Sequence, residues 1–201
     1  MLDSTRFLPL VVIVAGALLG IGLRGLRYRR RHGTSGFAFR GNVRASNFRI
    51  LFALAGNLAQ ALVLAFAPGW LSAISLPHVF LQRGMLWTGA ILCMVLMSLL
   101  LLAQEQMGAS WRMGLDPDAR PGLVTTGLFG VCRNPIYTLA ILWFLSFCIM
   151  VPTWVSVLGL CFLTFTLWKL VAREEAYLLE TYGGDYRAYI ARVGRFLPRF
   201  D

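Results

Sequence analysis

Lysine is all but missing: Lys169 stands alone, and arginine supplies the rest of the 19 basic residues. Acids are scarce as well, nine Asp and Glu in 201 residues, for a formal net charge of +10. Charged residues amount to 14% of the chain, well short of what a water-facing surface carries. Four cysteines, Cys93, Cys132, Cys148 and Cys161, have no paired spacing. That excludes a disulfide scaffold and gives no metal site, and they read as small hydrophobes. Internal repeats are lacking too, which argues against an alternating-access transporter. Polar residues inside the first four apolar blocks are few: Asn57, Gln60, Thr88 and Ser98. A channel or transport path needs more. Asn57 and Gln60 fall on roughly one side of their block and read as interhelix hydrogen bonding.

What is present is hydrocarbon, at 58% hydrophobic residues and a mean hydropathy of +0.67. It is arranged in long blocks, as a bilayer demands. The spacing predicts an all-α integral membrane protein of about five transmembrane helices, near Phe7–Leu23, Ile50–Ala67, Gly84–Ala103, Pro135–Val151 and Thr153–Val171. The first block, ending in arginines with no small-residue cleavage site, reads as a retained span. The fourth is short, so tilt, thinning or cover by neighbours is implied. Pro152 separates the last two, which makes them a tight helical hairpin. Between Leu23 and Ile50 lie Arg24, Arg27, Arg29, Arg30, Arg31, Arg40, Arg44 and Arg49 without an acid. Such a loop stays on the cytoplasmic side. The prediction is therefore a cytoplasmic (inner) membrane protein with the N-terminus out and the C-terminus in. The arginines hug a span boundary without interleaved aromatics, which fits anionic lipid headgroups and not nucleic acid. The oligomeric state is not legible.

The remaining polar residues gather in two segments on that predicted inner face, Gln104 to Tyr137 and Lys169 to Pro198. In the first, Leu123 to Gly130 reads as a short extended piece entering a tight turn, with Gly127 and Gly130 permitting close backbone approach. In Arg133-Asn134-Pro135, Pro135 suits the first residue of a helix and Asn134 its cap. A helix start beside an arginine can also hold a carboxylate. Tyr137 stands at the same mouth, to hydrogen-bond a ligand or to join the aromatic belt. In the second segment, Arg173, Glu174 and Glu175 occur where hydrocarbon ends, and the two acids point in different directions. Acids at a basic boundary can bind an ammonium, ribose hydroxyls or another cation. Gly183-Gly184 ends the helix. A C-terminal amphipathic helix follows, with Tyr186, Tyr189, Ile190 and Val193 inward and Arg187, Arg192 and Arg195 toward headgroups or water. The reading is one membrane domain over residues 1–201: three N-terminal spans in 1–103, with the basic loop 24–49, then 104–198 with a polar pocket at the cytoplasmic surface.

At these residues the chain resembles the membrane-embedded methyltransferases related to isoprenylcysteine carboxyl methyltransferase and the phospholipid N-methyltransferases. The likeness covers roughly Gln104 to Pro198. Leu123-Val124-Thr125-Thr126-Gly127-Leu128-Phe129 looks like the family's Gly-aromatic lead-in, and Arg133-Asn134-Pro135-Ile136-Tyr137 like its Arg-His-Pro-x-Tyr box. Glu174-Glu175, Leu178, Tyr182-Gly183, Tyr186, Tyr189, Val193 and Arg195-Phe196-Leu197-Pro198 look like its C-terminal signature. The resemblance implies an S-adenosylmethionine-dependent methyltransferase acting on a hydrophobic or lipid-like acceptor that arrives from the bilayer. The acceptor is an isoprenylcysteine-type carboxylate or, alternatively, a phospholipid amine. A non-catalytic scaffold binding lipid or a partner is the other reading. No G-x-G-x-x-G follows a strand, so the cofactor is held without a Rossmann domain. By resemblance, Leu123, Val124, Thr126, Gly127, Leu128, Arg133, Asn134, Pro135, Tyr137, Glu174 and Glu175 bind the cofactor, and Arg173 and Glu174 are catalytic. Asn134 stands where histidine is more frequent, and an amide carries no proton near neutral pH. The implied chemistry is direct displacement onto a nucleophilic acceptor, with Arg173 orienting or neutralising it.

Overall fold

The computed structural model describes residues 4–33, 42–76, 82–108 and 122–199. With no water in hydrocarbon to take up backbone N–H and C=O groups, apolar blocks must close those bonds within themselves, and they do so as helices. A 3-10 turn at Ser4–Phe7 leads into α1 (Leu8–Ala17), which widens to π-type winding over Leu18–Leu23 and continues as α2 (Arg24–His32). Then come α3 (Asn42–Phe66), a 3-10 stretch at Pro68–Ile74, and α4 (Arg83–Met107). A four-residue α5 (Leu128–Val131) precedes the hairpin of α6 (Pro135–Met150) and α7 (Trp154–Tyr182), and α8 (Gly184–Arg192) follows. Among the described residues there is no strand, and only two isolated bridges, Ser75 with Thr153 and Cys132 with Gly194.

The chain is an all-α integral membrane protein. Four helical runs, Ser4–Arg31, Phe48–Phe66, Arg83–Met107 and Trp154–Tyr182, are long and apolar enough to cross a membrane. At 16 residues, α6 is shorter, about 24 Å against roughly 30 Å of hydrocarbon. Its neighbours cover it. α6 packs along α4 and turns back against α7, α7 packs on α3, and α1 touches both α3 and α4, so the helices close in a ring. Small residues let α6 in. A Cβ at Gly89 of α4 would fall 2.1 Å from Met150 Cγ, and one at Gly16 of α1 would fall 2.7 Å from Trp143 Cζ2. Trp143, Phe144, Phe147 and Met150 then fill the core with Leu86, Ala90, Cys93, Leu163 and Leu167. This is membrane packing by close van der Waals fit. Phe52, Phe66, Trp87, Ile91, Met94, Leu158 and Phe165 point outward from the ring.

The basic segment 24–49 is not the loop the sequence predicts. Arg24–His32 prolongs the first helix, and α3 already begins at Asn42. Arginine is a good helix former, and Gly33 ends the run in the left-handed region (φ 71°), its N–H donating to the Arg29 carbonyl. Arg40 lies outside the described residues, as do 77–81 of the second connection and 109–121 of the segment between Gln104 and Tyr137. The described helix ends are tied to one another at two opposite faces. Arg27 and Arg31 reach Glu105 near the end of α4, at 4.0 and 3.1 Å. At the opposite face Leu76 N–H donates to the Pro152 carbonyl at 3.0 Å. There Gln60 does bond between helices: its Oε1 accepts from Ser156 Oγ at 2.9 Å and from the Thr153 hydroxyl, and Thr153 caps α7.

Candidate functional site

The arginine-rich face is where α6 begins and α7 leaves the hydrocarbon. The approach to α6 is built on α4. Residues 122–125 run without helix and turn at Thr126-Gly127 into α5. Gly127 has φ 63°, and a Cβ there would meet the Gln106 carboxamide at 2.6 Å. Only glycine admits that conformation with that neighbour. Gln106 Oε1 in turn accepts the Leu128 N–H at 2.9 Å. Val124 and Leu128 pack on Leu100, Ala103, Phe129 and Leu139. Leu123 packs on Tyr186, Tyr189 and Val193, the inward side of α8. As predicted, Gly183 ends α7 at φ 50° and releases α8 to fold back. The Tyr189 hydroxyl donates to the Phe129 carbonyl. Burial pushes the Tyr186 phenol up to about 12 and raises the Cys132 thiol, so both stay protonated and neither is a base or nucleophile near neutral pH.

Pro135 opens α6 in the first helical position. Just before it the chain pairs with the segment after α8. Arg133 N–H donates to the Gly194 carbonyl at 2.8 Å, Asn134 N–H to the Arg195 carbonyl at 3.2 Å, and Thr138 Oγ1 to the Phe196 carbonyl at 3.0 Å. Gly194 is required where this segment turns back on itself, since a Cβ would fall 2.1 Å from the Leu197 carbonyl oxygen. Glu175, buried, closes the junction. Its Oε1 accepts from Arg133 Nε at 3.1 Å and Asn134 Nδ2 at 3.0 Å. Its Oε2 accepts from Arg195 Nε at 2.8 Å and Nη2 at 2.6 Å. Arg133 also donates to the Val193 carbonyl, and Asn134 Nδ2 to that of Arg195. One carboxylate thus gathers three side chains from two distant segments.

Glu174 is one residue away and faces elsewhere, because successive helical residues differ by about 100°. It is half-buried, and its Oε1 accepts from the Tyr137 hydroxyl at 2.6 Å. The phenol spans from α6 to α7, so the box at the start of α6 and the acids at the exit of α7 meet in one place. Arg173 is exposed, with no bonded partner among the described residues. Thr126 and Gly127 are also exposed.

Two details depart from the sequence reading. Asn134 occupies the cap position of α6 but makes no side-chain cap bond. Its amide nitrogen is a donor turned to Glu175 and the Arg195 carbonyl, and a donor cannot satisfy the N–H groups of a helix start. Arg195 does not point to headgroups alone. It folds inward onto Glu175, and its guanidinium carbon lies 5.7 Å from the centre of the Trp168 ring. The sequence gives no sign of Gln106 or Trp168. Gln106 belongs to no motif, and Trp168 reads as one more apolar residue of a span.

The family model for phospholipid methyltransferase matches residues 85–185, half of the chain. The match starts in α4 and stops in α8, so it contains both the α6 start and the α7 exit. No curated protein matches the chain. By fold, by the juxtaposed pieces and by this match, the chain belongs to the phospholipid methyltransferase family, whose activity is methyl transfer at membranes.

Proposed function

We propose that this chain is an S-adenosylmethionine-dependent methyltransferase for a hydrophobic or lipid-like acceptor. The observation that carries it is the Tyr137–Glu174 contact, which joins the Arg133–Tyr137 box to the α7 exit on the face where a water-soluble cofactor and a bilayer-dissolved acceptor can both arrive. The residues present fit the cofactor in charge. Glu174 has one oxygen on a phenol and the other without a partner among the described residues, a half-buried carboxyl beside an aromatic ring, whose ionised form suits a sulfonium or ammonium. S-adenosylmethionine, when bound, supplies the electrophilic methyl.

The chain's own residues bind, orient and exclude water. Glu174 and Tyr137 hold the cationic part of the cofactor. Leu123, Val124, Thr126, Gly127 and Leu128 line it with the backbone at Arg133–Pro135. Arg133, Asn134 and Glu175 act one step back, since their side chains are spent on one another and on the C-terminal segment. Arg173, exposed and unpaired among the described residues, orients or neutralises the acceptor. Asn134, an amide where histidine is more frequent, carries no proton at the α6 start. A carboxylate acceptor needs no base, which favours an isoprenylcysteine-type acid, while the phospholipid amine is the alternative.

The test is transfer of a labelled methyl from S-adenosylmethionine, by purified protein in mixed micelles, into prenylated thiol acids and into phosphatidylethanolamine. Labelled ester or labelled N-methyl lipid identifies the acceptor. Lack of cofactor binding by the folded protein leaves only a lipid-binding scaffold. Arg173→Ala is expected to raise the acceptor KM with cofactor affinity intact, and unchanged turnover and KM would remove Arg173 from this role.

A further inference from the structure

The clasp on Glu175 carries more positive charge than it neutralises. One carboxylate meets two guanidinium groups, Arg133 and Arg195, which leaves one net positive charge. Arg133 is enclosed, with 9% of its side chain exposed, whereas Arg195 keeps 38%. The surplus is therefore presented at Arg195. Its Nε and Nη2 face Glu175, and its Nη1 has no partner among the described residues. Under the guanidinium lies Trp168, 54% exposed and stacked at 5.5 Å on Phe196. Trp168 precedes Glu175 by seven residues, two turns back toward the hydrocarbon on the same side of α7. A half-open cation above an exposed tryptophan backed by a half-buried phenylalanine, at the level where a span leaves the bilayer, matches the layering of a lipid: anionic head, then acyl chain.

We propose that Arg195, Trp168 and Phe196 form a seat for the headgroup of an anionic phospholipid, with the Arg195 Nη1 edge on the phosphate and the upper acyl chain along Trp168. This seat is distinct from the acceptor position assigned to Arg173, which lies two residues from Glu175 and so on nearly the opposite side of α7. The seat holds whether or not methyl is transferred. Bound there, the headgroup compensates the surplus charge and leaves the Glu175 clasp electrically balanced.

The test uses the full chain in nanodiscs without cofactor. Brominated acyl chains quench nearby tryptophan, and subtracting the signal of Trp168→Phe from that of the parent isolates Trp168. At equal mole fraction, brominated phosphatidylglycerol is expected to quench the Trp168 component at least threefold more than brominated phosphatidylcholine. Unbrominated phosphatidylglycerol should relieve the quenching, while unbrominated phosphatidylcholine and inorganic phosphate should not. Arg195→Lys should retain part of the preference and Arg195→Gln should abolish it. Equal quenching by both lipids overturns the proposal. So does relief by inorganic phosphate, which would mark a site for free anions, and so does a preference that survives in Arg195→Gln. The competition arms need no Arg195 variant, so they decide the matter even if those variants fold poorly. Because no cofactor is present, failure here is separable from failure of the methyltransferase reading, which cofactor binding decides.

Discussion

Both ends of the α6–α7 hairpin are tied by polar side chains, but the two ties differ in kind. At the turn end, neutral groups make the tie: Gln60 on α3 accepts from Thr153 and Ser156 at the start of α7. At the open end a buried carboxylate holds two guanidinium groups and an amide. The neutral tie joins helices that apolar packing already presses together. The charged one joins the start of α6 to the segment after α8, which is no longer helical. Charge appears where the chain needs direction, at the rim where the proposed cofactor would bind, and is avoided where hydrocarbon surrounds the helices and desolvation would cost most.

The sharpest way to break this contrast is to cut each tie. Glu175→Ala leaves the enclosed Arg133 guanidinium without its counter-charge, and removing one partner of a buried ion pair costs about 3–5 kcal/mol. Thermal unfolding in detergent should show a larger loss for this variant than for any substitution at Glu174 or Gln60. The released segment after α8 should become cleavable by protease at Arg195 and Arg199. Stability within about 1 kcal/mol of the parent would show that the clasp is ornamental.

The neighbouring acid should behave in the opposite way. Glu174→Gln keeps shape and removes charge where the carboxylate bonds to Tyr137. Little change in unfolding is expected, with affinity for S-adenosylmethionine lowered about tenfold, or ~1.4 kcal/mol, by titration calorimetry. Equal phenotypes for the Glu174 and Glu175 variants would dissolve the division between a holding acid and a binding acid.

That division is half legible in the sequence. A 100° step per residue already turns Glu174 and Glu175 apart. Long apolar runs announce the spans, and Gly127 and Gly183 mark turns that indeed need positive φ. The occupant of each acid is not legible, because it depends on contacts some twenty to forty residues away. Arg195 shows why. Assigning it outward extends the helical wheel of α8 past its end, whereas α8 stops at Arg192 and Val193 is extended, so the helical period no longer applies and Arg195 turns in. Asn134 differs for another reason: its position suits a cap, but Glu175 and the Arg195 carbonyl take its amide nitrogen. The arginine run after Leu23 reads as a loop because its polarity interrupts the apolar pattern, although nothing in arginine disfavours helix.

The smallest expected effect lies at the neutral end. Gln60→Leu removes the acceptor of the Thr153 and Ser156 hydroxyls, but each has somewhere else to go. Ser156 Oγ already lies 2.8 Å from the Val151 carbonyl, and the Thr153 hydroxyl lies 3.1 Å from Ser156 Oγ. Interhelix hydrogen bonds in membranes average about 0.6 kcal/mol, so a loss near 1 kcal/mol or less is expected. The loss should not change between low and high salt, because no charge is involved. The Glu175→Ala deficit, by contrast, should shift with salt, since Arg195 is partly open to solvent and its freed charge is screened. Measuring both variants at two ionic strengths therefore separates a neutral tie from a charged one even if their unfolding temperatures coincide. A salt-dependent Gln60→Leu would mean that the two ends are coupled through α7 and not independently fastened.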